Sequence, residues 1–234
     1  MKIIISPSKT QHLSKSDYLL DKEILYPKEH KKILAQLRKL SKNDIKRIMK
    51  IDSNLLNSTY NNIRNYNDLP TYHAFEGFNG LVYKGLQKEL YHDYEYDYIQ
   101  QKLIIIDAFY GILEPGTLIK PYRLDMKMNI GINLYSFWKI HNYFKDEAVI
   151  NLASNEFSKL IDSSNLINIS FLQDINGKFI NQATYSKQER GRFLNYLIIN
   201  GLNNVSQMKE YNDNNYVFNK ELSNINNIVF TRSN

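Results

Sequence analysis

The 234-residue chain contains no cysteine. That excludes disulfides, thiolate metal sites and thiol catalysis. It also makes a reducing, cytosolic compartment the natural expectation. Glycine and proline are sparse, at nine and five residues. They are scattered, so no linker or low-complexity segment divides the chain, and one domain over residues 1–234 is expected. No apolar run approaches the ~20 residues of a membrane helix. The amino terminus lacks the charged head, apolar stretch and small-residue cleavage site of a signal peptide. No membrane partner is expected. Neither Gly-x-x-x-x-Gly-Lys-Ser/Thr nor Gly-x-Gly-x-x-Gly occurs, and Gly-x-Ser-x-Gly is missing too. None of the five histidines has a close histidine partner. Glu89 and His92 have the Glu-x-x-His spacing of di-iron bundles, but such a site needs a second copy and two further carboxylates. No metal or cofactor is expected.

What the chain has is positive charge, and it is local. The net charge is +6 with a pI of about 9.1. From Lys28 to Lys50 nine basic residues face only Glu29 and Asp44, so this segment carries +7 and the remainder −1. A basic balance favours an anionic partner. Ile33, Leu34, Leu37 and Leu40 recur at helical spacing. Ser41-Lys42-Asn43-Asp44 then reads as a capping box, opening a second helix with Ile45, Ile48, Met49, Leu55 and Leu56 on its apolar face. Two amphipathic helices would thus turn Lys39, Lys42, Lys46 and Arg47 outward as candidate phosphate contacts. An ordinary solvated helix pair has the same pattern.

Three apolar runs stop abruptly. KIII gives way to Ser6-Pro7-Ser8-Lys9-Thr10, KLIII to Asp107-Ala108-Phe109-Tyr110-Gly111, and AVINLA to Ser154-Asn155-Glu156. Unalternating apolar runs suit strands buried on both faces of a partly parallel sheet, and ligands of such sheets bind beyond the carboxyl ends of the strands. Ser6, Lys9 and Thr10 are therefore candidate donors to an anion, with Asn151 and Ser154 from the third run, while Glu156 adds a carboxylate beside them. Segment 107–127 adds two turn-like elements, Tyr110-Gly111 and Glu114-Pro115-Gly116, followed by Lys120, Tyr122, Arg123 and Lys127. A hairpin between helices here would offer backbone N–H groups to a phosphate, with Gly111 letting the backbone come close. Tyr185 to Arg192 forms a second basic cluster at a strand-to-helix junction. Leu166 to Ser186 reads as two strands around Asn176-Gly177, the strongest short hairpin signal. A helix over 188–202 and a strand pair at 216–218 and 228–230 complete a mixed sheet with surrounding helices, α/β or α+β. Trp138 reads as core before it reads as a base-stacking platform.

In order along the chain, ISPSKT, FNGLVYKGL (78–86), FYGILEPGTLIKPYRLDM (109–126), LYSFW (134–138), VINLASNEF (149–157), NGKF (176–179) and YSKQERGRF (185–193) resemble the YaaA peroxide-stress family. The resemblance spans nearly the whole chain. It implies a compact α/β fold with a helix-hairpin-helix element and a positively charged cleft. It also implies a cytosolic protein that binds duplex and branched DNA, aids survival of peroxide and limits intracellular free iron. Ser6, Lys9 and Thr10 match the opening motif, and Tyr110, Gly111, Tyr122 and Arg123 the central block. Asn151, Ser154 and Glu156 match the third block, and Lys187, Arg190 and Gly191 the fourth. The chain departs from the family where Lys and an acid are common, at Asn79 and Leu81, and where Arg is frequent, at Glu114.

Two functional readings follow. The first is a DNA-binding stress protein whose lysines and arginines contact phosphates, largely without regard to sequence. The second is an enzyme acting on a nucleotide, nucleoside or damaged base in the strand-end cleft. It draws on Asp107 and Glu156 as candidate general acid/base groups, because carboxylates repel a phosphate backbone. A small nucleotide-like ligand fits the same cleft. The family resemblance favours binding over catalysis.

Overall fold

Ile3, Ile4 and Ile5 have almost no solvent exposure, and the strand they form, β1 (Lys2–Ile5), lies at the centre of the molecule. The structure, a computed structural model, describes residues 1–145, 147–162, 164 and 166–233. β1 pairs in parallel with β3 (Leu103–Asp107) on one edge and β6 (Val149–Asn151) on the other. β7 (Leu166–Ile175) and β10 (Asn227–Arg232) extend the parallel set beyond β6. Three antiparallel strands finish the eight-stranded sheet: β4 (Gly111–Leu113) on β3, β8 (Lys178–Ile180) on β7 and β9 (Val217–Phe218) on β10. A separate ribbon joins β2 (Tyr72–His73) to β5 (Leu118–Ile119). This is an α/β fold with a mixed sheet and surrounding helices.

The helices are α1 (Pro27–Lys39), α2 (Lys42–Met49), α3 (Ser53–Arg64), α5 (Asp93–Lys102) and α8 (Ala183–Ile199). Single turns form α4 (Ala74–Gly77), α6 (Leu134–Phe137), α7 (Asn155–Ser158) and α9 (Val205–Met208). Pro27 opens α1, where its missing N–H costs nothing. The capping box at α2 is present: Asp44 N–H donates to Ser41 Oγ at 3.1 Å, and Ser41 N–H donates to Asp44 Oδ2 at 3.2 Å. The second expected helix is in fact two. Lys50 adopts the left-handed conformation, φ 52°, and Asp52 caps a fresh helix through Leu55 N–H at 3.1 Å. Leu55 and Leu56 therefore belong to α3, and Leu55 is exposed. Arg38 and Arg64 exchange donors to carbonyls, Arg38 Nε to Ile63 at 3.2 Å and Arg64 Nη2 to Leu40 at 2.8 Å, which ties α1 to the end of α3.

The hairpin expected at Asn176-Gly177 is present, both residues having positive φ. The strand reading to Ser186 was too long. Ala183 already starts α8, so the basic cluster at 185–192 lies in the first turns of a helix, not at a junction. Trp138 is core, and its indole N–H donates to the Ala108 carbonyl at 3.0 Å. Gly111, with φ +79°, lies beneath the Trp138 ring, where a Cβ would come within 2.6 Å. Gly111 thus seats an aromatic ring.

α8 meets the turn at Tyr83–Gly85 through two glycines. A Cβ at Gly191 would lie 2.1 Å from the Val82 carbonyl, and one at Gly85 would lie 2.7 Å from the Arg192 nitrogen. Gly191 is accordingly a packing residue, and this close approach sets the distance between Lys187 and Arg190 and the loop opposite. Gly191→Ala is expected to cost ~1–3 kcal/mol by overpacking, read as a lower urea midpoint. An unchanged midpoint would show that the two backbones can separate freely.

Candidate functional site

The strand order reverses at β1. The chain passes from β1 to β3 on one side, then returns across β1 to β6 on the other. A crevice opens beyond the carboxyl ends of strands at such a point. Here it is a cleft of about 580 Å³. Ser6 to Gln11 follow β1 into it, Leu152 and Ser154 to Phe157 follow β6, and Lys187 and Arg190 enter from α8. Gly80 to Tyr83 and Tyr122 to Asp125 close its walls, with Lys127 at the rim.

Ser6, Lys9, Thr10, Tyr122, Arg123, Ser154, Glu156, Lys187 and Arg190 are thus brought together. The loops after β1 and β6 are joined directly, since Ser154 N–H donates to Ser6 Oγ at 2.9 Å. Tyr83 Oη donates to the Ser6 carbonyl at 3.0 Å. Ser8 Oγ accepts from Thr10 N–H at 3.1 Å, which folds ISPSKT into a tight turn. Gln11 Oε1 accepts from both Tyr72 Oη, at 2.8 Å, and Tyr122 N–H, at 3.2 Å. Lys9 forms an ion pair with Asp125 at 2.6 Å. Five basic side chains line the cleft against two acidic ones, Asp125 and Glu156.

Three buried polar atoms on these walls have no hydrogen-bond partner among the described residues: Arg123 Nε, Arg190 Nε and Glu156 Oε1. Burial lowers the Arg190 guanidinium from its ordinary value, and it has no carboxylate partner among the described residues. Orphaned charged groups are costly in a protein interior. One cleft thus gathers two buried guanidinium nitrogens and one buried carboxylate oxygen without partners among the described residues.

Other expected residues lie elsewhere. Asp107 is fully buried behind the cleft. Its Oδ1 accepts Phe109 N–H at 2.7 Å and Tyr110 N–H at 2.8 Å, and its Oδ2 accepts Tyr122 Oη. The turn at 107–111 joins two strands, not two helices, and its Phe109 and Tyr110 N–H groups are occupied by Asp107. Tyr110 is buried, stacked on His30 and bonded to Tyr66 Oη at 2.6 Å. Burial holds His30 down to about 4, so it is neutral. Lys120 Nζ is spent on the carbonyls of Tyr66 and Asn67, at 3.1 and 2.5 Å. Asn151 lines a neighbouring chamber of about 420 Å³, which shares Ser154, Asn155, Lys187 and Arg190 with the cleft. Lys39, Lys42, Lys46 and Arg47 are exposed and outside both cavities. Arg47 pairs with Asp44 at 2.9 Å. Sequence reading missed Ser8, Gln11, Gly80, Tyr83 and Asp125 as cleft residues. The FNGLVYKGL block carried a signal only through its family likeness. Among the described residues no group of three or more His, Asp or Glu could hold a metal ion, and no helix is long and apolar enough to cross a membrane.

The family model of the peroxide stress protein YaaA matches residues 1–222. The chain belongs to the peroxide stress protein YaaA family. It is 39% identical to a UPF0246 protein of Fusobacterium nucleatum over the full length of both chains. It is 35% identical to one from Malacoplasma penetrans, again over both full lengths. A third, from Lactobacillus johnsonii, is 33% identical over 99% of this chain and 98% of its own. A role in peroxide stress comes with the family. The cleft draws its lining from family blocks far apart in sequence, joined only by the meeting of strand ends.

Asp107 gives this site a pH signature. Burial pushes its carboxyl up to about 6 from 3.8, against the three hydrogen bonds that favour the charged form. With the folded pKa raised, the folded state binds more protons between those values, so stability falls as pH rises from about 4 to about 6. The span corresponds to roughly 3 kcal/mol. Asp107→Asn is expected to flatten that slope in denaturation midpoints measured from pH 4 to 7. An unaltered slope would assign the titration to another group.

Proposed function

We propose that this protein binds DNA, duplex or branched, in the strand-end cleft, chiefly through backbone phosphates, and so protects DNA during peroxide stress. The observation that carries the reading is the pair of buried, unpartnered guanidinium nitrogens, Arg123 Nε and Arg190 Nε, both lining one accessible cleft. Arginine forks match phosphate geometry, and a phosphate supplies the acceptors these atoms lack. Ser6, Lys9, Thr10, Ser154 and Lys187 complete the contact set. Outside the cleft, α2 and α3, joined through Lys50–Asp52, serve as the helix-hairpin-helix element. Lys39, Lys42, Lys46 and Arg47 extend the phosphate track. The cytoplasm is where such a protein meets its DNA, and limitation of intracellular free iron belongs to the same reading through the family.

Fluorescence anisotropy with labelled duplex and four-way-junction DNA, over a range of salt, tests this. Binding is expected to weaken steeply with salt. The Arg123→Ala/Arg190→Ala double variant is expected to lose tenfold or more in affinity and about two units of salt slope. Reversing the charge at Lys39, Lys42 and Lys46 is expected to weaken binding less. An absence of binding at low salt would overturn the reading.

A second reading is favoured by one atom, the free Oε1 of Glu156. A carboxylate oxygen without a partner suits general acid/base work at a nucleotide or damaged base better than it suits a phosphate clamp. Glu156→Gln is expected to leave DNA affinity within threefold if the protein only binds. Loss of a base-releasing activity in that variant would instead mark an enzyme.

A further inference from the structure

Asn151, Asn168 and Asn227 lie opposite one another across three adjacent parallel strands, β6, β7 and β10. Residues paired in register point to the same face. These three amides form one polar row in a sheet that is otherwise mostly apolar. Asn151 Nδ2 donates to Asn168 Oδ1 at 2.7 Å, and Ser170 Oγ donates to Asn227 Oδ1 at 2.9 Å. Asn151 is buried and Asn168 and Asn227 are half-buried, so packing alone would favour an apolar residue at least at Asn151, where an amide must be matched bond for bond.

The row is the floor of the side chamber of about 420 Å³. Its roof is one stripe of α8, in which Ala183, Ser186, Lys187 and Arg190 recur at helical spacing. Ser186 is 3% exposed, and its Oγ has no hydrogen-bond partner among the described residues. It is a buried hydroxyl aimed at an amide-lined cavity. Arg190, with its own free Nε, stands where this chamber joins the cationic cleft. One compartment is thus cationic. The next holds amides and hydroxyls, with its cations confined to the shared boundary.

We propose that the two compartments form a mononucleotide site, with phosphate in the cationic cleft and the nucleobase over the asparagine row beneath Ser186. A ligand that satisfies both has one anionic end and one neutral ring rich in donors and acceptors. Glu156, in the single turn α7 on the cleft side, accepts from a sugar hydroxyl through its free oxygen. The proposal rests on the cleft reading above for its phosphate half alone. The nucleotide is either free or the end of a DNA strand, and the chemistry recognised is the same.

The test is calorimetric titration of the full chain with nucleoside monophosphates, inorganic phosphate, a 5′-phosphorylated single-stranded oligonucleotide and a blunt duplex. A monophosphate is expected to bind at least tenfold tighter than inorganic phosphate. Asn168→Leu is expected to reduce that margin below threefold while phosphate affinity stays the same. Ser186→Ala removes only a hydroxyl and is expected to weaken monophosphate binding threefold or more, which decides the matter should Asn168→Leu fail to fold. Affinity for phosphate equal to that for both the monophosphates and the 5′-phosphorylated oligonucleotide would overturn the proposal, as would a margin unchanged in folded variants. Tight binding of free monophosphates identifies a diffusible nucleotide. Binding confined to the oligonucleotide, and sensitive to Ser186→Ala, identifies a strand end. Duplex binding with no preference for a monophosphate or a phosphorylated strand end would sink this proposal and leave the DNA reading standing. Monophosphate binding without duplex binding would do the reverse.

Discussion

Every feature of the site depends on β1 being hydrogen-bonded in parallel on both of its edges. A strand with two parallel neighbours has all its backbone groups satisfied laterally and both faces covered, so its side chains must be apolar. Ile3, Ile4 and Ile5 meet that demand. The same pairing brings the chain to one level at the carboxyl ends of β1, β3 and β6. Whatever follows each strand in sequence is then delivered to one edge of the sheet. Ser6 and Ser154 meet there, 148 residues apart, and their bond at 2.9 Å fixes the two loops as one wall.

The electrostatics of the cleft follow from that convergence. A guanidinium on an exposed helix is solvated and costs nothing. Arg190 stands on the buried side of α8, where two glycines draw the helix against the opposing turn, so its nitrogen loses water and gains no protein acceptor. The low local dielectric that makes this expensive also strengthens the attraction between such a group and any opposite charge beside it. Behind it, the buried network of Asp107, Tyr122, Gln11 and Tyr72 fixes the segment that presents Arg123. The aromatic stack of His30, Phe109 and Tyr110 packs behind that network. Asp107 acts from inside the fold, holding the turn that follows its own strand.

The exposed basic helices and the cleft are separate features of the molecule, joined in sequence reading by nothing but charge. Lys39, Lys42, Lys46 and Arg47 remain in water on α1 and α2, and their number reflects an amphipathic face as much as any ligand. Two of the five cleft cations are constrained. Arg123 and Arg190 come from distant segments, and each has a buried Nε. Local density of charge was therefore a poor guide to where charge is concentrated in space.

Much was legible along the chain. Abrupt ends of apolar runs marked the strand ends, because a strand buried on both faces announces itself by composition and its ligand edge by the change to polar residues. The Ser41 capping box and the Asn176-Gly177 turn were legible because they are local chemistry, settled within four residues. The break at Lys50 was not, since apolar spacing continued through it. The amide row of Asn151, Asn168 and Asn227 could not be read at all, because strand register is a relation between segments and leaves no trace within any one of them. For the same reason nothing local to Gly191 marks its packing against the Val82 carbonyl. The sequence by itself determined which segments would be buried strands and which faces of the helices would be charged. Only the tertiary structure decided which polar residues share a cavity and which cations lack partners, because both depend on contacts between segments that are separate in the chain.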